Sequence, residues 1–168
     1  PEIFGTIFEH SLTAAGGTAD ERRAFGAHFT SQLDIMKIVK PTIVDPWREL
    51  IGNAKSLKEL NKLSSRLWSL RVLDPACGSG NFLYVAYREM KRLEDDIRQK
   101  WSELSTRDPT QQMSLGFVTA SQFYGIDIIP LAVELAKVTM MIARKLAIDE
   151  FKTTENALPL DNLDNNFV

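Results

Sequence analysis

Apolar residues recur at helical intervals along most of the chain, and two short runs break that rhythm. Ile3, Phe4, Ile7, Phe8 and Leu12 share one helical face until Gly16-Gly17 interrupt it. Asp20 to Phe25 predicts a second short helix, with Glu21, Arg22 and Arg23 outward and Gly26 as its stop. Ser31 followed by Asp34 predicts the cap of a helix with Ile35, Met36, Ile38 and Val39 as its apolar side, ended or kinked by Pro41. Asp45-Pro46 predicts another start, and Trp47, Leu50, Ile51, Ala54, Leu57, Leu60, Leu63 and Leu67 continue at helical spacing with an interruption near Gly52-Asn53. Trp47 and Trp68 read as core or interface residues in this scaffold.

The first break is Leu70 to Leu73, where Val72 and Leu73 suit a buried strand. A long helix follows, with Phe82, Val85, Ala86, Glu89 or Met90, and Leu93 on one face. The charges from Arg88 to Lys100, including Lys91 and Glu94, are expected on its remaining surface in local ion pairs of small value. Asp108-Pro109 to Ser114 reads as a loop. Phe117 to Ile128 leads into the second break, a strand ending at Asp127, and Pro130 opens an apolar helix carrying Leu131, Val133, Leu135, Val138, Met141, Ile142 and Leu146. Strand, crossover helix, strand and helix predict an α/β class with a right-handed parallel unit. The carboxyl ends of both strands then face one crevice, where open α/β sheets bind ligands.

Asp74-Pro75-Ala76-Cys77-Gly78-Ser79-Gly80-Asn81-Phe82-Leu83 joins the first strand to its helix. Gly78 and Gly80 remove Cβ atoms that would hold a ligand off the backbone, and the amides opening the helix point into that space. Leu83 stands where a dinucleotide fingerprint wants its third glycine, and no Gly-Lys-Ser/Thr is present to grip a triphosphate. Asp74 at the strand end would repel a pyrophosphate and suits an ammonium group. A zwitterionic amino-acid cofactor fits the turn better than a phosphate.

Those residues resemble the cofactor motif of S-adenosylmethionine-dependent DNA adenine-N6 methyltransferases. Gly26-Ala27-His28-Phe29-Thr30-Ser31 resembles the family's amino-terminal motif that closes over the methionine end, and Tyr124-Gly125-Ile126-Asp127-Ile128 resembles its acidic strand end. The order of the three motifs matches, and together they span nearly the whole chain. The resemblance implies a partial Rossmann-like methyltransferase fold, a parallel sheet with flanking helices over 70–168, preceded by a helical segment over 1–69 with its closing loop at 26–31. It implies S-adenosyl-L-methionine as cofactor, with Asp74 toward the methionine end and the backbone at Ala76, Gly78 and Gly80 along its length. Asn81 and Phe82 would cover one side, Asp127 would accept from the ribose hydroxyls, and Ile128 would wall the adenine. Thr30 would meet the carboxylate. Read from local pattern alone, Thr30 is an ordinary cap, Asp127 a solvent-facing strand end, and Phe82 the first core residue of its helix.

Cys77 lies inside the turn with no base beside it, so it reads as a small buried thiol rather than a nucleophile. His10 and His28 are too few for a metal cluster, and no metal is expected. The Asn/Asp-Pro-Pro-aromatic tetrapeptide that the resembled enzymes use for methyl transfer does not occur, so catalytic residues are expected beyond Val168 and the chain alone is expected to be inactive. Asp161 and Asp164 are poor candidates for the adenine amine, in a loop leading to a strand that Asn166-Phe167-Val168 begins.

Composition narrows this further. The chain has 168 residues, 44% of them hydrophobic, enough for one domain but not for a DNA-reading module as well. Lys plus Arg number 20 against 22 Asp plus Glu, so the total shows no basic footprint, and DNA is expected to be gripped by other parts of a longer protein. The single cysteine excludes an internal disulfide, and no apolar run is long enough for a membrane span. A cytoplasmic protein without membrane contact is expected. Pro1 and Val168 read as cuts through a larger protein, and a sheet cut there would expose an edge open to self-association. Fragments of an RNA or protein methyltransferase, or a non-catalytic nucleotide-binding domain, are the alternative readings.

Overall fold

A computed structural model describes residues 30–106, 116–151 and 162–168. The predicted helices before residue 26, the Gly26 to Phe29 part of the closing motif, His10, His28, the loop at Asp108-Pro109 and Asp161 lie outside the described residues.

Helix α1, Gln32–Val39, starts as its sequence predicts: Ser31 is extended at the cap and its hydroxyl oxygen accepts from the Asp34 N–H at 3.2 Å. The α-helix ends just ahead of Pro41, as expected, but the chain does not leave the helical path. The chain widens into a π-helical turn, Lys40–Val44, and runs on into α2, Asp45–Asn53. A wider turn accommodates the proline ring and its missing N–H. Asp45 is therefore helical itself and does not cap α2; it lies 3.6 Å from Lys40 in an exposed pair. The interruption at Gly52-Asn53 is real, since α2 stops there and Ser56 caps α3, Leu57–Ser69.

Strand β1, Val72–Asp74, pairs in parallel with β2, Phe123–Gly125, with Leu73 opposite Tyr124. Helix α4, Asn81–Ser105, is the crossover, and α5, Pro130–Phe151, follows β2. Phe167 bridges to Gly125 on the far side of β2, also in parallel, so the third-strand reading of Asn166 to Val168 holds. Leu73 is 56% exposed, contrary to the buried strand expected, because β1 is the edge of this small sheet among the described residues.

Helix α4 is the centre of the packing, touched by α1, α2, α3, α5 and both strands. So many neighbours leave little of it for solvent. Lys91 and Glu94 are buried, which corrects their expected surface placement, and Glu89 is buried alongside Met90 on the packing face. Lys91 Nζ lies 2.9 Å from Glu94, Arg98 pairs with the same carboxylate, and Glu94 accepts the buried Val118 N–H at 3.2 Å. Phe117 lies under the Lys91 and Arg98 cations, which anchors the segment entering β2.

The apolar helix expected after Pro130 forms as α5, and only part of its large apolar set is buried: Val133 is inside. Ala132, Ala136, Met140, Ala143 and Ala147 are buried, whereas Leu131, Val138 and Leu146 are exposed. Small residues let the backbone of α5 approach the turn and α4 closely, and that proximity outweighs the larger area of the leucines. No helix of the described residues is long and apolar enough to cross a membrane.

Candidate functional site

The turn after β1 is built against the end of β2 by a ladder that outlasts the strands themselves. Ile126 N–H donates to the Asp74 carbonyl at 3.0 Å, and Cys77 N–H donates to the Ile126 carbonyl at 2.9 Å. The carboxyl ends of the two strands are thereby held side by side. Asp74 turns its carboxylate back to accept the Ala76 N–H at 3.1 Å. Asp127 does more: Oδ2 accepts the Gly78 N–H at 2.9 Å and Oδ1 accepts the Ile129 N–H at 2.9 Å, while its own N–H donates to the Val168 carbonyl at 2.9 Å. One side chain joins the glycine turn to the start of α5, and its backbone joins both to the third strand.

The two glycines do different work. Gly78 has φ +51° and open space where a Cβ would stand, so it leaves room for a ligand against the backbone. Gly80 has φ +81°, but its absent Cβ would lie 3.0 Å from the Ala136 Cα. Its role is helix packing, which corrects the expectation that both glycines clear the ligand's space. Asn81 opens α4 and is buried; its Nδ2 donates to Ser79 Oγ at 3.3 Å and its Oδ1 has no hydrogen-bond partner. Phe82 is half-buried and packs against the core, Ala76 is exposed, and Ile128 is 80% exposed beside Asp127. Thr30 is exposed, one residue ahead of the Ser31 cap.

Electrostatics oppose the pairing of the two aspartates. Burial raises the Asp74 carboxyl above its ordinary value, the Ala76 N–H opposes this, and the neighbouring Asp127 charge adds to the rise. The Cys77 thiol is pushed up to about 12 by burial and by both aspartates. Cys77 is buried with its sulfur beneath Gly125, where an added Cβ would come within 2.8 Å of it. Burial and the raised value suit a packing thiol. Asp164 is exposed and bound to Lys137 at 2.8 Å, which holds its carboxyl below the ordinary value. Among the described residues, no group of three or more His, Cys, Asp or Glu is placed to hold a metal ion.

Two supporting residues escaped the sequence reading. Gln122 is buried and donates to the Leu67 and Leu70 carbonyls at 3.0 and 2.8 Å, tying the entry of β2 to the entry of β1. The Thr119-x-x-Gln122 capping box was its available signal. Ser79, buried within the turn, fixes Asn81 and carries no pattern of its own.

Residues 50–167 match the family model of the MmeI DNA-methyltransferase domain. DNA methyltransferase A of Bacillus subtilis strain 168 is 35% identical over 153 residues, which are 90% of this chain and 16% of that protein. A Methanocaldococcus jannaschii protein described as a type II restriction enzyme and methyltransferase is 27% identical over 95% of this chain and 15% of its own length. The solved type IIL restriction-modification enzyme MmeI, in complex with DNA, matches with a TM-score of 0.74 and 29% identity, across 96% of this chain and 22% of that one. These likenesses put the strand-turn-helix unit among DNA methyltransferases of restriction-modification type. The chain belongs to the MmeI DNA-methyltransferase domain family, and it spans 16% and 15% of the lengths of the two relatives.

Proposed function

We propose that this chain is the cofactor-binding part of a site-specific DNA methyltransferase that uses S-adenosyl-L-methionine to methylate adenine N6, within a restriction-modification protein of the cytoplasm. The observation that carries the reading is the placement of Asp74 at the end of β1 and of Asp127 just beyond the end of the adjacent parallel β2, on either side of a turn with open space at Gly78. Two carboxylates around an uncharged glycine turn fit a ligand bearing an ammonium group and a diol, not a phosphate. The finer fold is a partial Rossmann-like methyltransferase sheet over 70–168, with 1–69 as a helical segment before it.

S-adenosylmethionine supplies an electrophilic methyl group when bound. Asp74 would face its ammonium, relieving the burial and like-charge cost that raises this carboxyl. Asp127 keeps unused lone pairs for ribose hydroxyls while holding Gly78 and Ile129. The backbone at Ala76, Gly78 and Gly80 would run along the cofactor, and Asn81 and Phe82 would close one side. Exposed Ile128 would lie against the adenine ring, and Thr30 would meet the carboxylate. The residues that orient the acceptor amine belong to other parts of a longer protein, so the chain alone binds the cofactor weakly and transfers no methyl group.

Calorimetry of the folded chain with S-adenosylmethionine tests this. Measurable heat, lost in Asp127→Ala, is expected; a folded chain with no binding overturns the cofactor reading. Incubation with labelled cofactor and duplex DNA is expected to leave the DNA unlabelled. The substrate is tested in the longer protein, where labelled N6-methyladenine is expected and labelling of RNA or protein alone overturns the DNA assignment.

A further inference from the structure

The near-neutral total charge hides how the charges are arranged. On α4 and α5, Arg88, Lys91, Arg92, Arg98, Lys100, Lys137 and Lys145 each have a carboxylate within ion-pair distance. The segment from Lys55 to Arg71 is different. Lys55, Lys58, Lys62, Arg66 and Arg71 are all exposed, and none has an ion-pair partner among the described residues.

Helix α3 aligns the central three. Lys58, Lys62 and Arg66 stand four residues apart, so they follow one face at steps of about 6 Å and cover about 12 Å. The opposite face, with Leu57, Leu60, Leu63 and Leu67, is buried, which turns this stripe to solvent. Glu59 is the one acid in the helix, and its carboxylate accepts the Lys55 N–H at 2.8 Å instead of meeting a cation. Ser65 and Ser69 share the exposed face and return their hydroxyls to the helix backbone, adding no charge. Arg66 rests over the Trp47 ring at 5.6 Å, and Arg71 over Tyr124 at 5.9 Å. Ring faces steady these guanidiniums while leaving their N–H edges available.

We propose that this face of α3 docks on the phosphate backbone of duplex DNA, giving sequence-independent affinity and orientation. The choice of DNA rests on the methyltransferase reading above; charge complementarity carries the surface itself. A duplex presents one negative charge per roughly 1.7 Å of its axis, so a row of cations at about 6 Å spacing finds a phosphate for each. No internal ion pair has to break first, in contrast to the cations of α4 and α5.

The test uses the 168-residue chain and a fluorescein-labelled 25-base-pair duplex of arbitrary sequence, followed by anisotropy from low to moderate salt. Binding at low salt is expected, with an affinity that falls as salt rises. K58E/K62E/R66E is expected to weaken it at least about tenfold and to flatten the log-log salt slope by about 3, while K137E/K145E leaves it unchanged. K58A/K62A, which keeps Arg66 on Trp47, should flatten the slope by about 2. Melting curves matching the parent show that these surface variants fold. Undetectable low-salt binding, or equal slopes in parent and triple variant, overturns the proposal. Tighter binding to phosphatidylserine vesicles than to duplex assigns the face to a membrane and also overturns it. Calorimetry with S-adenosylmethionine on the same proteins keeps the two readings apart, because the charge reversals leave the cofactor turn untouched.

Discussion

Gly78 donates its backbone N–H to Asp127 Oδ2 at 2.9 Å, so a residue just beyond the second strand also holds the turn that follows the first. The proposed ribose ligand is thus a structural clasp before any ligand arrives. Asp127→Ala leaves the Gly78 and Ile129 amides without their acceptor and is expected to cost about 1–3 kcal/mol. Asp127→Asn keeps one acceptor oxygen and should fall between. Amide exchange at Gly78 in the ligand-free protein checks this directly: faster exchange in both variants, with protection in α4 retained, is expected. Parent-like exchange in Asp127→Ala would remove the clasp.

The glycines separate by what their missing Cβ atoms spare. Gly80→Ala combines a left-handed φ with a Cβ 3.0 Å from the Ala136 backbone, and is expected to lower stability by about 2–4 kcal/mol. Gly78→Ala meets no neighbour, so it should cost about 1–2 kcal/mol for its φ and chiefly impair cofactor binding. Urea midpoints and calorimetric affinities, measured on both variants, should rank them in opposite orders.

The contrast between those glycines marks what could be read from the sequence. The strand-turn-helix around Asp74 was legible because turn residues, a strand-end acid and a helix start are local signals. The same holds for Ser31 at its cap and for the interruption at Gly52-Asn53. The role of Gly80 was hidden, since it depends on Ala136, a residue of a distant helix. The apolar character of α5 was legible, but its buried face was not: the closeness of the turn and α4 selected its alanines with Val133 and Met140. For α4, coverage on several sides took Lys91 and Glu94 inside, which no single-face pattern can express. The row of exposed cations on α3 was likewise not legible from formal charge, because a total does not show which cations lack partners.

Asp74 gives a pH dependence whose sign is set by burial. Its folded carboxyl titrates above the ordinary value of 3.8, so the folded state binds the proton more tightly than the unfolded chain. The contribution favours folding fully below the unfolded value and is lost as pH rises through the raised folded value. Asp74→Asn lacks this titration. The difference in urea midpoint, Asp74→Asn minus parent, should therefore grow from mildly acidic conditions upward. Cofactor affinity of the parent should rise over the same range, as the carboxylate becomes available to an ammonium. A difference that stays flat with pH would show that Asp74 ionises as freely folded as unfolded.

Cys77 should be inert in the native protein. A thiol that is buried and pushed up to about 12 offers almost no thiolate at neutral pH. Iodoacetamide at pH 7.5 is expected to modify the native chain at least about 100-fold more slowly than the chain in denaturant. Mass spectrometry of timed samples gives both rates. Cys77→Ala should keep cofactor binding, and equal alkylation rates in the two conditions would place the thiol at the surface.

Lys91 and Glu94 show how far the buried centre of α4 depends on charge being matched. Both side chains are almost wholly inaccessible, and Glu94 also serves Arg98 and the Val118 N–H. Glu94→Leu takes a carboxylate away from Lys91, Arg98 and the Val118 amide at once, with an expected cost of about 3–5 kcal/mol. Lys91→Met should cost less, because Arg98 and Val118 still satisfy the carboxylate. The double variant should recover part of the Glu94→Leu loss, since an apolar pair of similar volume needs no desolvation of charge. Full recovery is not expected, as the Val118 amide remains without its acceptor. Urea unfolding of the two single variants and the double variant closes the cycle, and strictly additive losses would show that the two charges do not support each other.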